Sequence, residues 1–170
     1  MKTQYFICLA CICMSSCQVP EMASDPIRLE AEMGYENIVQ NYFEVEKAEF
    51  YSGGGAVMMS GRVPVGGSGT IEYRLTPHIP PGIYTLNVKY NDENDGHSPV
   101  KIEVDGQVFS FVMDANTSSG FADISNQRQV EFKNVRVKEG SILRVTGTVH
   151  RYESEHKELV RLDYFEFSKA

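Results

Sequence analysis

The 170 residues contain no tryptophan, and cysteine is confined to the first tenth of the chain. The four cysteines are Cys8, Cys11, Cys13 and Cys17, so no disulfide can staple anything that follows them. They sit among apolar residues with no histidine, which excludes a zinc site there. Basic residues are scarce: 16 Lys and Arg face 23 Asp and Glu, for a formal charge of −7. No Lys/Arg cluster relieves that balance, which argues against a nucleic-acid partner. There is no long hydrophobic run either. The longest, residues 5–14, holds about ten residues, half of what a bilayer span requires. Finally, no stretch of a dozen residues shows a convincing helical face. With 42% hydrophobic and 23% charged residues the chain is not a disordered tail, and its length suits one domain with one core.

The short apolar run follows Lys2 and precedes two small residues, Ser15 and Ser16. That is the build of an export signal. Met14-Ser15-Ser16-Cys17 resembles a bacterial lipoprotein signal box, although Met14 stands where Leu is usual; a plain secretory signal is the alternative. The resemblance implies that residues 1–16 are removed and that Cys17 is acylated, an anchor rather than a thiol. Loss of Lys2 with the leader takes the formal charge from −7 to −8. Gln18 after the cysteine is compatible with sorting to the outer membrane. Residues 17–26 then form a polar, Pro-flanked tether, and residues 27–170 the domain.

Within that domain the apolar period is two. Ile71, Tyr73 and Leu75 alternate with polar residues, as do Tyr84, Leu86, Val88 and Tyr90, and Val100, Ile102 and Val104. Asp105-Gly106 separates two such runs and predicts a tight hairpin, because both central residues of that turn need positive φ. Residues 108–113, 130–137, 141–149 and 159–167 complete the strand set, with Glu139-Gly140 as a further turn. Many short strands between turns predict an all-β, antiparallel jelly-roll β-sandwich.

Chemistry gathers at the two ends of the domain. Glu30 and Glu32 are two apart on an expected strand, so both carboxylates should leave one face. Asp163 lies within the expected last strand. If the first and last strands pair, three carboxylates converge, a donor set that suits Ca²⁺ with backbone carbonyls filling the remaining positions. Ser52-Gly53-Gly54-Gly55 could turn its carbonyls toward such an ion.

Six motifs in order carry a resemblance that spans nearly all of the domain. They are Glu30-Ala31-Glu32, the stretch from Tyr51 to Val57, the stretch from Gly69 to Tyr73, the stretch from Pro81 to Leu86, Val104-Asp105-Gly106 and Leu162-Asp163-Tyr164. Together they resemble the calcium-containing carbohydrate-binding modules of families six and thirty-five. The resemblance implies a galactose-binding-like jelly roll, non-catalytic binding of a poly- or oligosaccharide, and a structural Ca²⁺ held by Glu30, Glu32 and Asp163. It also implies a sugar site where loops gather at one end of the sandwich. There Tyr51 and Phe121 stand at or near the positions of the aromatic platforms, and Arg161 stands where the family often has Asn. Arg161 could pair with an acidic sugar, helped by His150, Arg151, Tyr152, His156 and Lys157, or it could merely lie along the strand. Phe121 could equally be a core residue.

The oxygen-rich stretch 91–97 looks like a calcium loop, but Gly96 and His97 are out of place for one, and a solvated hairpin loop is expected. Catalysis finds little support. Glu153 and Glu155 share a loop with no acid opposite, and neither a Gly-x-Ser-x-Gly elbow nor a His-Glu-x-x-His helix is present. A docking role within a glycan-uptake complex is the alternative to sugar binding.

Overall fold

The computed structural model describes residues 25–33, 42–93, 96–114, 122–150 and 159–170. Cys17, Phe121 and Tyr152, and with them the leader and most of the tether, lie outside the described residues. Ten strands form among the described ones: β1 (Ile27–Glu30), β2 (Phe43–Lys47), β3 (Gly55–Met59), β4 (Ser68–Arg74), β5 (Gly82–Asn91), β6 (Ser98–Val104), β7 (Gln107–Met113), β8 (Gln127–Val137), β9 (Ile142–Thr148) and β10 (Arg161–Lys169). They make two antiparallel sheets packed as a jelly-roll sandwich. One runs β2-β3-β10-β5-β8, with β1 also on β10; the other runs β4-β9-β6-β7.

The expected alternation is realised strand by strand. In β5 the side chains of Tyr84, Leu86, Val88 and Tyr90 are buried while those between them are more open. Asp105 and Gly106 both take positive φ, 48° and 80°, as the tight hairpin requires. β3 gave no alternating signal because almost every one of its residues is buried, so polar and apolar faces do not separate. Between the sheets Tyr73 meets Phe165 edge-on at 4.9 Å, and within the larger sheet Tyr84 of β5 meets Phe167 of β10 at 5.9 Å. Fully burying one such side chain contributes roughly 1.5–3 kcal/mol.

β10 is the hub. Along one edge its first residues pair with β3 (Arg161 opposite Met58, Leu162 opposite Val57). From Tyr164 onward the same edge pairs with β1, Glu30 lying opposite Tyr164. Asp163 therefore falls at the handover, in register with neither strand. Along the other edge the pairing with β5 slips between Leu162 and Tyr164, a bulge at the same residue. Bulges re-aim side chains, and this one leaves Asp163 and Tyr164 side by side on the face turned from the core.

Two glycines set how closely the sheets approach. Gly69 and Gly147 face each other across β4 and β9. A methyl group on Gly147 would sit 2.8 Å from Val160 Cγ2 and 2.9 Å from Met59 Sδ. Gly147→Ala should therefore overpack the core and cost about 1–3 kcal/mol, read as a lower urea midpoint at unchanged m-value.

Candidate functional site

At the β3/β1 handover three acidic side chains meet around a glycine turn. β1 ends at Glu30, and residues 31–33 make a 3₁₀ turn that carries Glu32. The two glutamates thus converge because the chain curls after the strand, not through strand alternation as expected. Across from them Ser52–Gly54 forms another 3₁₀ turn, in which Gly53 has φ +65°. The Ser52 amide donates to Asp163 Oδ1 at 2.8 Å, and the Ser52 hydroxyl donates to Glu30 Oε1 at 2.9 Å. A methyl group on Gly53 would lie 2.6 Å from Glu32 Oε1 and 3.5 Å from Glu30 Cδ. Only glycine combines that φ with that approach. The carbonyls of Tyr51 and Ser52 accept from the amides of Gly54 and Gly55, so this loop directs an amide and a hydroxyl at the carboxylates.

The electrostatics are those of like charges taken out of water. Asp163 is 2% exposed. Burial, and then repulsion from Glu30 and Glu32, pushes its pKa up to about 6, against the lowering effect of the Ser52 amide and Lys89. Burial chiefly, with Glu30 adding, raises Glu32 as well. Arg28 lies at the edge of the cluster, tied chiefly to groups beside it. It pairs with Glu166 at 3.1 Å, stacks over Tyr164 at 4.0 Å and donates to the Ser52 hydroxyl at 3.3 Å.

Glu30 Oε2 and Glu32 Oε2 are buried with no hydrogen-bond partner. Buried carboxylate oxygens rarely stay so. As placed, the three side chains do not close on one point, and no set of three acidic, His or Cys side chains among the described residues is arranged around an ion. The donor set itself, two orphaned carboxylate oxygens with a third carboxylate beside them, is of the hard-oxygen kind that a divalent cation takes.

Tyr51 and Arg161, expected at the sugar, lie in a buried network instead. Tyr51 is 4% exposed, packs on Phe50 at 4.3 Å and donates its hydroxyl to Glu46 Oε2 at 2.7 Å. A ring covered to that degree offers no open face for stacking. Arg161, 7% exposed, directs Nε to the same Glu46 oxygen at 3.0 Å and Nη1 to Glu93 Oε2 at 2.6 Å. Burial works against its charge, but Glu93 and Glu46 outweigh it and raise its pKa. A guanidinium already held by two carboxylates is not displayed for an acidic sugar.

Glu93 also corrects the expectation of a solvated loop at 91–97. Asn91, Asp92 and Glu93 are buried, Asn94 and Asp95 lie outside the described residues, and Gly96 is buried with His97 exposed. Glu46 and Glu93 were missed as partners of Arg161. The Phe-Glu-Val-Glu-Lys alternation puts Glu46 on the outer face of β2, and only tertiary contacts half-bury it against Tyr51 and Arg161.

Neither a family model nor a curated protein sequence matches this chain. Solved structures do. A family 35 carbohydrate-binding module from Clostridium thermocellum is similar over 86% of this chain and 100% of its own, at TM-score 0.58 and 17% identity. The CBM36-1 domain of a multidomain xylanase from the hindgut metagenome of Trinervitermes trinervoides matches over 86% of this chain and 98% of its own, at TM-score 0.52 and 13% identity. The exo-β-1,3-galactanase of Phanerochaete chrysosporium matches at TM-score 0.56 and 16% identity; this chain spans 85% of itself but only 29% of that enzyme. At such identities the likeness shows the fold alone, an antiparallel jelly-roll β-sandwich.

The raised carboxylates predict a pH dependence with a definite sign. Asp163 titrates at about 6 in the folded chain, against about 4 when unfolded. The folded state therefore holds the extra proton between those values, and stability from this group is lost as pH rises from about 4 to about 6. In EDTA, thermal melts of Asp163→Asn minus wild type should change across that window in the direction that flattens the fall. An unchanged difference would contradict the assignment.

Proposed function

We infer that this chain is a non-catalytic carbohydrate-binding domain of an exported lipoprotein, anchored through Cys17 to the bacterial membrane, most simply the outer membrane. The observation that carries the reading is the meeting of Glu30, Glu32 and Asp163 at the paired ends of the chain, within the fold of carbohydrate-binding modules. A structural Ca²⁺ held by those three residues would cancel their mutual repulsion and give the two orphaned oxygens a partner. The ligand is a poly- or oligosaccharide bound at the loop end, with Phe121 and Tyr152 as its aromatic contacts. Because Arg161 is committed to Glu46 and Glu93, a neutral polymer is favoured over an acidic one. The burial of Tyr51 and Arg161 also supports a second reading, an accessory that docks within a glycan-uptake complex.

Affinity electrophoresis of the mature chain through neutral, uronate-rich and sulfated polysaccharides separates these readings. Retardation by a neutral polymer, lost in Phe121→Ala with folding retained, is expected; no retardation by any polymer would leave docking. Ca²⁺ should raise the melting temperature, and at 100 times its dissociation constant it should add about 2.7 kcal/mol. Glu30→Gln and Asp163→Asn should abolish that gain. Radiolabelled fatty acid should enter the wild type and not Cys17→Ser.

A further inference from the structure

Residues 48–54, between β2 and β3, form a strap over the face of the larger sheet that is turned from the core. It touches both the acidic cluster and the buried arginine. At one end Ser52 bonds two of the three carboxylates, Asp163 through its amide and Glu30 through its hydroxyl. The next residue back, Tyr51, bonds Glu46, and Glu46 holds Arg161, which reaches Glu93. Glu93 follows Asp92 and Asn91. The Asp92 amide donates to Asn126 O at 3.0 Å, and Asn91 Nδ2 donates to Asp123 O at 2.7 Å. Those contacts set the relative positions of segments 91–93 and 122–126. Gln127 Nε2 returns to Phe50 O at 2.8 Å and closes the ring.

We propose that Tyr51 is a positioning residue that couples the ion cluster to the loop end, so that a divalent cation at Glu30, Glu32 and Asp163 orders segments 91–93 and 123–127. The inference rests on the calcium reading above. Its physical basis is that Ser52 must follow the carboxylates it bonds. Without an ion the three acids repel, and Ser52 is drawn between them. With the ion they are fixed, and so is the adjacent Tyr51. The Tyr51 hydroxyl then holds Glu46 in place for Arg161. The path runs through part-buried, charge-assisted hydrogen bonds at Glu46 and a buried ion pair at Glu93, links that strengthen one another. The Phe50–Gln127 bond is a neutral one on the same strap and transmits less.

The test is amide hydrogen exchange on the full mature chain, in saturating Ca²⁺ and in EDTA, for wild type, Tyr51→Phe and Glu93→Gln. Binding of the ion is followed separately by calorimetry and by tyrosine-sensitised Tb³⁺ luminescence. In wild type, Ca²⁺ should slow exchange by about tenfold or more both in 48–54 and at Asp92 and Asn126. In both variants Ca²⁺ should still bind and still protect 48–54, but the ion-dependent protection at Asp92 should be lost and that at Asn126, still tied through Gln127 to Phe50, should fall to a small remainder. A merely structural role for Tyr51 would raise exchange equally with and without the ion, and that result overturns the proposal. So does protection confined to 48–54 in wild type, or ion-dependent protection at Asp92 that survives in the variants. If wild type binds neither Ca²⁺ nor Tb³⁺, the calcium reading itself fails and the coupling falls with it.

Discussion

The arrangement depends on one edge of β10, where β3 stops pairing and β1 begins. A strand edge must be paired continuously or leave backbone groups unmet. Here the gap is one residue long and coincides with a bulge on the opposite edge. Asp163 occupies it, and the Ser52 amide meets the side chain of that residue. Everything else at the acidic cluster follows. Glu30 is the last residue of β1 and arrives beside Asp163 by register; Glu32 is curled in by the turn after it; Gly53 is required because no side chain fits the space that remains.

Much of this was legible in the residues. Alternation at β4, β5 and β6 and the Asp105-Gly106 turn follow from period and turn chemistry; the pairing of first and last strands is an assumption that the resemblance suggests, and the structure contains all of them. That pairing brings Glu30 beside Asp163, whereas Glu32 arrives through the 3₁₀ turn at 31–33, which the alternation does not foretell. What could not be read was coverage. Tyr51 and Arg161 look like ligand-facing groups in a list of residues, because an aromatic beside glycines and a lone arginine at a strand start are what a sugar site uses. Whether a loop lies on top of them is decided by tertiary contacts such as Phe50 O with Gln127 Nε2, 77 residues apart. The same limit applies to the oxygen-rich stretch at Asn91, whose first three residues turn inward to serve Arg161 and the loop at Asp123.

The two charged centres solve the problem of burial differently. Around Arg161 opposite charges are matched inside the fold, with carboxylates on two sides of one guanidinium. Such a cluster is costly to break, since removing one member strands another. Around Asp163 three acids gather with no direct ion pair among them; the fold supplies the Ser52 amide and hydroxyl, with Lys89 and Arg28 acting from farther off. In the first centre each charge faces an opposite one. At the second, Glu30 Oε2 and Glu32 Oε2 have nothing to accept from.

The antiparallel lie of β1 against β10 also fixes which way the sandwich points. Ile27 enters beside Phe167, at the end of the sheet occupied by Gly82 and Val137, whereas Asn91, Gln127 and Arg161 mark the far end. If Cys17 carries a lipid, as proposed, the domain is held from the end where β1 begins. The nine residues 18–26 reach at most about 30 Å when fully stretched. The loops at the opposite pole would stand off the bilayer by that leash plus the height of the sandwich, facing the surrounding medium.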